Sequence, residues 1–326
     1  MTDLSCGTCT ARVVDRGAQL LSWIPAGQAD ALWLSPLAIL QPSGPPVRGG
    51  VPVCFPWFGP GREPGMSPSH GFARTAMWTP VSVTSTESVV AAAFTLDATH
   101  ASSEHWPHSY RAILAVTVGQ VMDIALTVQN TGDTEFSYEE ALHAYLAVSD
   151  VRRVQVRGLD GATYADKTRG GEAATQSGDI TFDGEVDRAY RSTRAVQVID
   201  PVMRRVLTVR KAGSASTVVW NPGAELAARM PDVGEHWPQF VCVEAGNVLG
   251  DAVTLAPGGA HTLRYRLRID ALPDDYVVEG AVHDLDVGDA LGRQGRLQAA
   301  LADETPRAHD VGPHLDLHCH DDPSTT

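Results

Sequence analysis

Four places in this chain carry side chains suited to chemistry. The first is RGGVPVCFPWFGPGREPGMSPSHGFARTAMW, residues 48–78, which holds Arg48, Arg62, His70 and Arg74 among aromatic residues. Arginines concentrated in an otherwise acidic chain are suited to face something anionic, and Trp57, Phe58 and Phe72 would supply flat apolar walls. The second is YEEALHAYLAVSD, where His143 sits in an apolar, strand-like run. The third is YADKT (164–168), followed by FDGEVDRAY with Asp187. The fourth pairs VVWNPG with FVCVEAGN, in which Glu244 is the sole charge. A carboxylate between VCV and AG is partly desolvated, which favours its protonated form. Without a partner its charge is costly to bury. Each residue also has a plain structural reading: Glu244 satisfied by an arginine or backbone donors, His143 bonded to a carbonyl in the core, His70 shaping a turn before Gly71, Arg48 and Arg74 paired with nearby acids. Together they describe a β-pocket with a base, one or two imidazoles and an arginine pair, a set suited to proton transfer on a bound anion.

Such a pocket needs strands to position it, and the hydrophobic period is mostly two. TARVVDRGAQLLSWIPAG, ILAVTVGQVMDIALTVQNTG, VRRVQVRGL, AVQVID, RRVLTVRKAG, STVVWNP, QFVCVEAGNV and HTLRYRLRI read as short strands, most of them ending in Gly, Pro, Asn or Asp. Alternation resumes after the GQ of RAILAVTVGQVMDIALTVQN, which marks a hairpin. GAELAARM alone looks helical, and it allows two turns at most. Residues 48–78 are too rich in Gly and Pro for a helix or a central strand, so they form an ordered loop. The expected fold is all-β: a large antiparallel β-sandwich with few short helices. One domain over residues 1–272 is expected, followed by an acidic extension, 273–326, that looks loosely attached.

Composition narrows the partners. Hydrophobic residues make up 43% of 326 positions, enough for a sizeable core. No apolar run is long enough to span a membrane, and the N-terminus lacks the basic and apolar regions of a signal peptide. A cytoplasmic, monomeric protein without a membrane partner is expected. Five cysteines at 6, 9, 54, 242 and 319 argue against a disulfide framework. Cys6 and Cys9 form a lone CGTC without the strand-then-helix setting of a redox motif, while Cys54 and Cys242 read as small core residues. The net charge of −14 disfavours nucleic acid. Twelve acidic and three basic residues from Asp274 onward leave that stretch at −9 and the rest at only −5. The final HLDLHCHDD, with His314, His318, Cys319 and His320, could hold a metal but reads first as a solvated acidic tail.

RGG-PVCFPWFG followed by SHGFAR resembles the glucose-6-phosphate 1-epimerase (hexose-6-phosphate mutarotase) branch of the aldose 1-epimerase family. WPHSY, ALHAY, YADKT, VDRAY, VVWNP and FVCVEAG follow in the family's order, over roughly residues 10 to 270. The resemblance implies a galactose mutarotase-like β-supersandwich and interconversion of the α and β anomers of an aldohexose 6-phosphate, with no cofactor and no metal. It makes Glu244 the base at the C1 hydroxyl and His143 the acid at the ring oxygen, protonated as the ring opens. His70 then contacts the sugar near the reacting centre, Asp187 accepts hydrogen bonds from sugar hydroxyls, and Trp220 and Asn221 lie near the pocket. Arg48 and Arg74 become a phosphate clamp, since guanidinium forks match phosphate oxygens, and Arg62 could supplement or replace one of them. Two other readings are a glycoside hydrolase using Asp187 and Glu244, and a non-catalytic sugar-phosphate-binding module.

Overall fold

The computed structural model describes residues 1–273 and 276, apart from 42, 64 and 99–105. Its strands begin with β1 (Thr2–Cys6), β2 (Cys9–Val14), β3 (Gln19–Pro25) and the short β4 (Val53–Cys54). Next come β5 (Thr79–Ser85), β6 (Val90–Asp97), β7 (Tyr110–Val118) and β8 (Val121–Asn130). Three short strands follow, β9 (Phe136–Tyr138), β10 (Glu140–Leu142) and β11 (Tyr145–Ala147). Then come β12 (Gln155–Arg157), β13 (Thr163–Asp166), β14 (Glu172–Thr175) and β15 (Val186–Arg191). After β16 (Val196–Asp200), β17 (Arg205–Ala212) and β18 (Ser216–Asn221) comes the five-residue helix α1 (Gly223–Ala227). The series closes with β19 (Phe240–Asn247), β20 (Val253–Leu255) and β21 (Ala260–Ala271).

Side-chain alternation explains the layering. Along β7 and β8 every second residue is buried, and the tight turn at Gly119–Gln120 joins them in the hairpin expected from the period. They belong to an eight-stranded sheet ordered β12-β16-β17-β21-β8-β7-β6-β5. A second sheet runs β14-β13-β15-β18-β19-β10-β4, with β11 also paired to β19. The strand pairs in both are antiparallel. The main core gathers Val219, Val241 and Val243 of the second sheet with Leu114, Leu126, Leu263 and Tyr265 of the first. This is the large antiparallel β-sandwich expected. β19 is buried along all eight residues, because its other face is covered as well, and that second covered face holds the candidate site.

Two local expectations change. VRRVQVRGL is not one strand: the Asp150 carboxylate accepts the Arg152 N–H and starts a 3-10 turn, Val151–Arg153, before β12. Of GAELAARM, only Gly223–Ala227 is helical. The chain divides into a unit Met1–Asp284 and a unit Leu285–Thr326, and all of the latter, including HLDLHCHDD, lies outside the described residues. The acidic extension from 273 therefore falls outside them too, apart from Pro273 and Tyr276. Among the described residues no helix is long and apolar enough to cross a membrane.

Candidate active site

Strand register brings distant residues onto one face. Leu142 pairs with Ala245 and Tyr145 with Cys242, so β10 and β11 lie along β19 in a single register. Counting along it places His143 opposite Glu244. On the other side of β19, Val218 faces Glu244 and Trp220 faces Cys242. One strand further, Asp187 faces Trp220. Because side chains alternate, Glu244, His143, Tyr145, Cys242, Trp220 and Asp187 all project from the face turned away from the main core. Two small apolar clusters cover that face. One joins Trp33, Tyr145, Phe240 and Cys242, with Trp220 packed against it; the other joins Cys54, Phe58, Ala141, Ala189 and Val218.

Glu244 and His143 stand beside these clusters as a close pair, with His143 Nδ1 3.4 Å from Glu244 Oε1. Both are buried, Glu244 at 1% exposure and His143 at 7%. His143 stacks on Tyr145 at 4.8 Å, with Trp220 and His70 edge-on at 5.9 and 5.6 Å. Neither His143 Nδ1 nor Glu244 Oε2 has a hydrogen-bond partner among the described residues. Burial raises Glu244 well above the usual carboxylate range; Lys167 opposes that shift and Asp187 adds to it. Burial also lowers His143 well below the ordinary imidazole value, and His70, Arg48, Arg74 and Lys167 push it the same way. Desolvation thus opposes the protonated His143 that the resemblance implies. Desolvation favours the neutral pair, in which Glu244 holds the proton.

His70 is held by its turn. His70 and Gly71 have φ of 64° and 74°, and a Cβ on Gly71 would lie 2.0 Å from the Phe55 carbonyl oxygen. His70 Nδ1 accepts the Gly59 N–H at 3.3 Å and lies 3.4 Å from Cys54 Sγ. A backbone N–H can only donate, so in the neutral ring the proton sits on Nε2. The ring stays neutral: burial pushes His70 down to about 3, helped by Arg74, Lys167 and Arg48. Of the three aromatic walls expected, Phe58 alone covers the site face. Trp57 and Phe72 pack edge to face at the main core, and the Trp57 indole donates to Pro68 O at 2.9 Å.

The cations divide unevenly. Arg48 donates through Nε to Asp232 Oδ2 at 2.9 Å and through an Nη to the Tyr145 hydroxyl at 3.0 Å. Arg74 gives one Nη to Ser69 O at 2.6 Å, while its Nε is buried without a partner among the described residues. Both are close enough to His143 to depress its basicity. Arg62 turns elsewhere, to the Leu249 carbonyl and towards Glu139 at 3.6 Å. Asn221, expected near the ligand, is fully buried. Its NH₂ donates to Trp237 O and Phe240 O, and its oxygen accepts the Gly223 N–H, so it acts by holding the loop beside Trp220.

Lys167 is the residue that reading the sequence passed over. Its Nζ lies 2.9 and 3.1 Å from the two Asp187 oxygens and 5.1 Å from the Phe58 ring centre. Asp166 of YADKT is the last residue of β13 to pair with β15, and Lys167 opens the 3-10 turn that follows, from which it reaches Asp187. Glu139 was passed over as well. Its buried carboxylate accepts the N–H of Phe58 and of Leu249 and so fixes the loop that carries Phe58.

Comparison with known proteins gives concordant results. The family described as aldose 1-epimerase matches residues 3–268. A Salmonella typhimurium protein named as a candidate glucose-6-phosphate 1-epimerase is 37% identical over 232 residues, 70% of this chain and 76% of that one. A Cenchrus ciliaris protein of the same name is 34% identical over 280 residues, covering 82% and 83%. The crystal structure of a candidate mutarotase from Salmonella typhimurium superimposes with a TM-score of 0.77 at 30% identity, over 82% of this chain and 90% of that one.

Proposed function

The chain belongs to the aldose 1-epimerase family, whose enzymes interconvert sugar anomers, and from that premise we propose that its substrate is an aldohexose 6-phosphate, glucose 6-phosphate first among them. The observation that carries the reading is the buried Glu244–His143 pair, 3.4 Å apart, with one carboxylate oxygen lacking a partner among the described residues. A buried polar atom without a partner is costly, and a sugar hydroxyl would satisfy it.

The reaction needs one proton at each end of one bond. Glu244 as carboxylate takes the proton of the C1 hydroxyl while His143 as imidazolium gives its proton to the ring oxygen. The C1–O bond of the ring breaks, C1 becomes an aldehyde, and rotation about C1–C2 presents its other face. On reclosure the C5 hydroxyl returns its proton to His143, and Glu244 protonates the new C1 oxygen. The two charged groups and the two neutral groups hold the same number of protons. Burial favours the neutral arrangement, which is the one accompanying the open-chain sugar, so desolvation lowers the cost of that intermediate. His70, with Nε2–H, serves as a donor to the sugar, and Asp187 as an acceptor held by Lys167.

Arg74 supports the phosphate assignment most directly, since its buried Nε lacks an acceptor among the described residues. Arg48 is fixed by Asp232 and Tyr145 and adds positive field more than free donors. The two carboxylates of a hydrolase are disfavoured, because both oxygens of Asp187 face Lys167. The test is anomer exchange followed by NMR or polarimetry on glucose 6-phosphate, glucose and galactose. Arg74→Ala should lower kcat/KM at least about tenfold for the phosphorylated sugar and leave glucose nearly unchanged. Equal losses on both sugars would overturn the phosphate site, and an inactive wild-type protein would overturn the substrate class.

A further inference from the structure

The CGTC motif at the N-terminus takes no part in the sugar site. Cys6 and Cys9 close the β1–β2 hairpin and face each other directly across Gly7 and Thr8. Directly opposed residues of an antiparallel pair have Cα atoms about 4.5–5.5 Å apart, inside the disulfide range of about 4.4–6.8 Å. The two sulfurs are already 3.6 Å apart, so a small side-chain rotation would bring them to bonding distance. Three anchors outside the turn hold them there. Gly7 N–H donates to Glu87 O at 2.8 Å, Thr8 Oγ1 donates to Ser88 O at 2.7 Å, and Ala26 N–H donates to Thr8 O at 2.8 Å.

The two thiols differ. Cys6 is half-buried and Cys9 is buried at 3% exposure. Burial works against ionising Cys6, but the backbone N–H groups of Thr8 and Cys9 favour its thiolate, and Cys6 lies below the ordinary thiol value. Cys9 is pushed up to about 12, by burial first and then by Cys6 beside it. An accessible thiolate next to a protected thiol is the division of labour that thiol–disulfide exchange requires.

We propose that Cys6 and Cys9 are a reversible dithiol–disulfide pair that exchanges with low-molecular-weight disulfides, with Cys6 the attacking sulfur. The Cys6 thiolate attacks one sulfur of the small disulfide, whose S–S bond breaks and whose other half leaves as a thiolate and takes up a proton. Cys9 then gives up its proton and attacks Cys6 Sγ, expelling the second half as a thiol. The protein loses two electrons and two protons, and the small disulfide becomes two thiols.

The experiment treats the full-length protein with oxidised glutathione, quenches in acid, alkylates the remaining thiols after unfolding and digests with trypsin. Residues 1–12, ending at Arg12, contain both cysteines and no other. Most of that peptide should lose two hydrogens, about 2 Da, carry no alkyl group, and recover both thiols on reduction. Cys9→Ser should stop at a stable glutathione adduct on Cys6, and Cys6→Ser should leave Cys9 alkylated. In the wild-type protein, an adduct persisting on Cys6 with Cys9 alkylated, both cysteines alkylated, or a cross-link from Cys6 to Cys319 would each overturn the proposal.

Discussion

Glu244 is costly to bury where it stands, and the proposed chemistry depends on that cost. Its proton affinity is raised by burial, while burial and surrounding cations lower that of His143. Glu244→Gln keeps the volume and removes the base, so anomer exchange should fall by about 10²–10⁴-fold with the fold intact; unchanged exchange would remove Glu244 from the reaction. The pH profile follows from the same pair, which works with one proton between two sites. Adding a second proton means charging His143, so the acid limb should lie below the ordinary histidine value. Removing the last proton means ionising Glu244, so the alkaline limb should lie above the ordinary carboxylate value. The acid limb of kcat/KM, corrected for ionisation of the sugar phosphate, should therefore fall below pH 6.5. An acid limb at or above 6.5 would contradict this. Lys167→Met should raise Glu244 further and loosen Asp187, lowering exchange about tenfold at unchanged Tm.

At the scale of elements, the site is made by register and by one turn. Gly71 sits at φ 74° with no room for a side chain beside Phe55, so Gly71→Ala should destabilise the protein by about 2 kcal/mol or more in urea unfolding and weaken exchange by displacing His70. A Gly71→Ala protein as stable and active as the parent would show that the turn does not hold His70. Period-two alternation made the β7–β8 hairpin legible, since a slip of one residue would expose every apolar side chain. Loop orientation was not legible in the same way. Trp57 and Phe58 are adjacent and both aromatic, yet one enters the core and the other the site, because Glu139 fixes the backbone between Phe58 and Leu249. The resemblance puts Asn221 near the pocket, and strand composition does not reveal that its amide is engaged by Trp237, Phe240 and Gly223.

Across the molecule, Lys211 of β17 ties one sheet to the other. Its ammonium donates to Ser192 O at 2.7 Å, to Ser216 O at 3.3 Å and to Thr217 Oγ1. All three acceptors are uncharged, and burial brings Lys211 down to about 7. In the unfolded chain it titrates at about 10.4. Below pH 7 both states hold the proton and contribute no slope. Between those values the unfolded chain binds the extra proton, so stability should climb with pH by up to about 1 kcal/mol per unit. Lys211→Met should flatten that climb, read from denaturant unfolding at pH 7 and pH 9.5; an equal slope in the variant would remove Lys211 as its source.

By itself, the sequence determined the architecture, since alternation specifies strands and Gly and Pro specify loops, and it singled out Glu244 as a lone carboxylate among Val, Cys and Ala. Tertiary structure alone decided which of these residues meet and in what charge state. Pairing across β10, β19, β18, β15 and β13 converts separations of up to about a hundred residues into contact, and desolvation then sets the protons. Both are properties of neighbours in space, which a linear pattern does not carry.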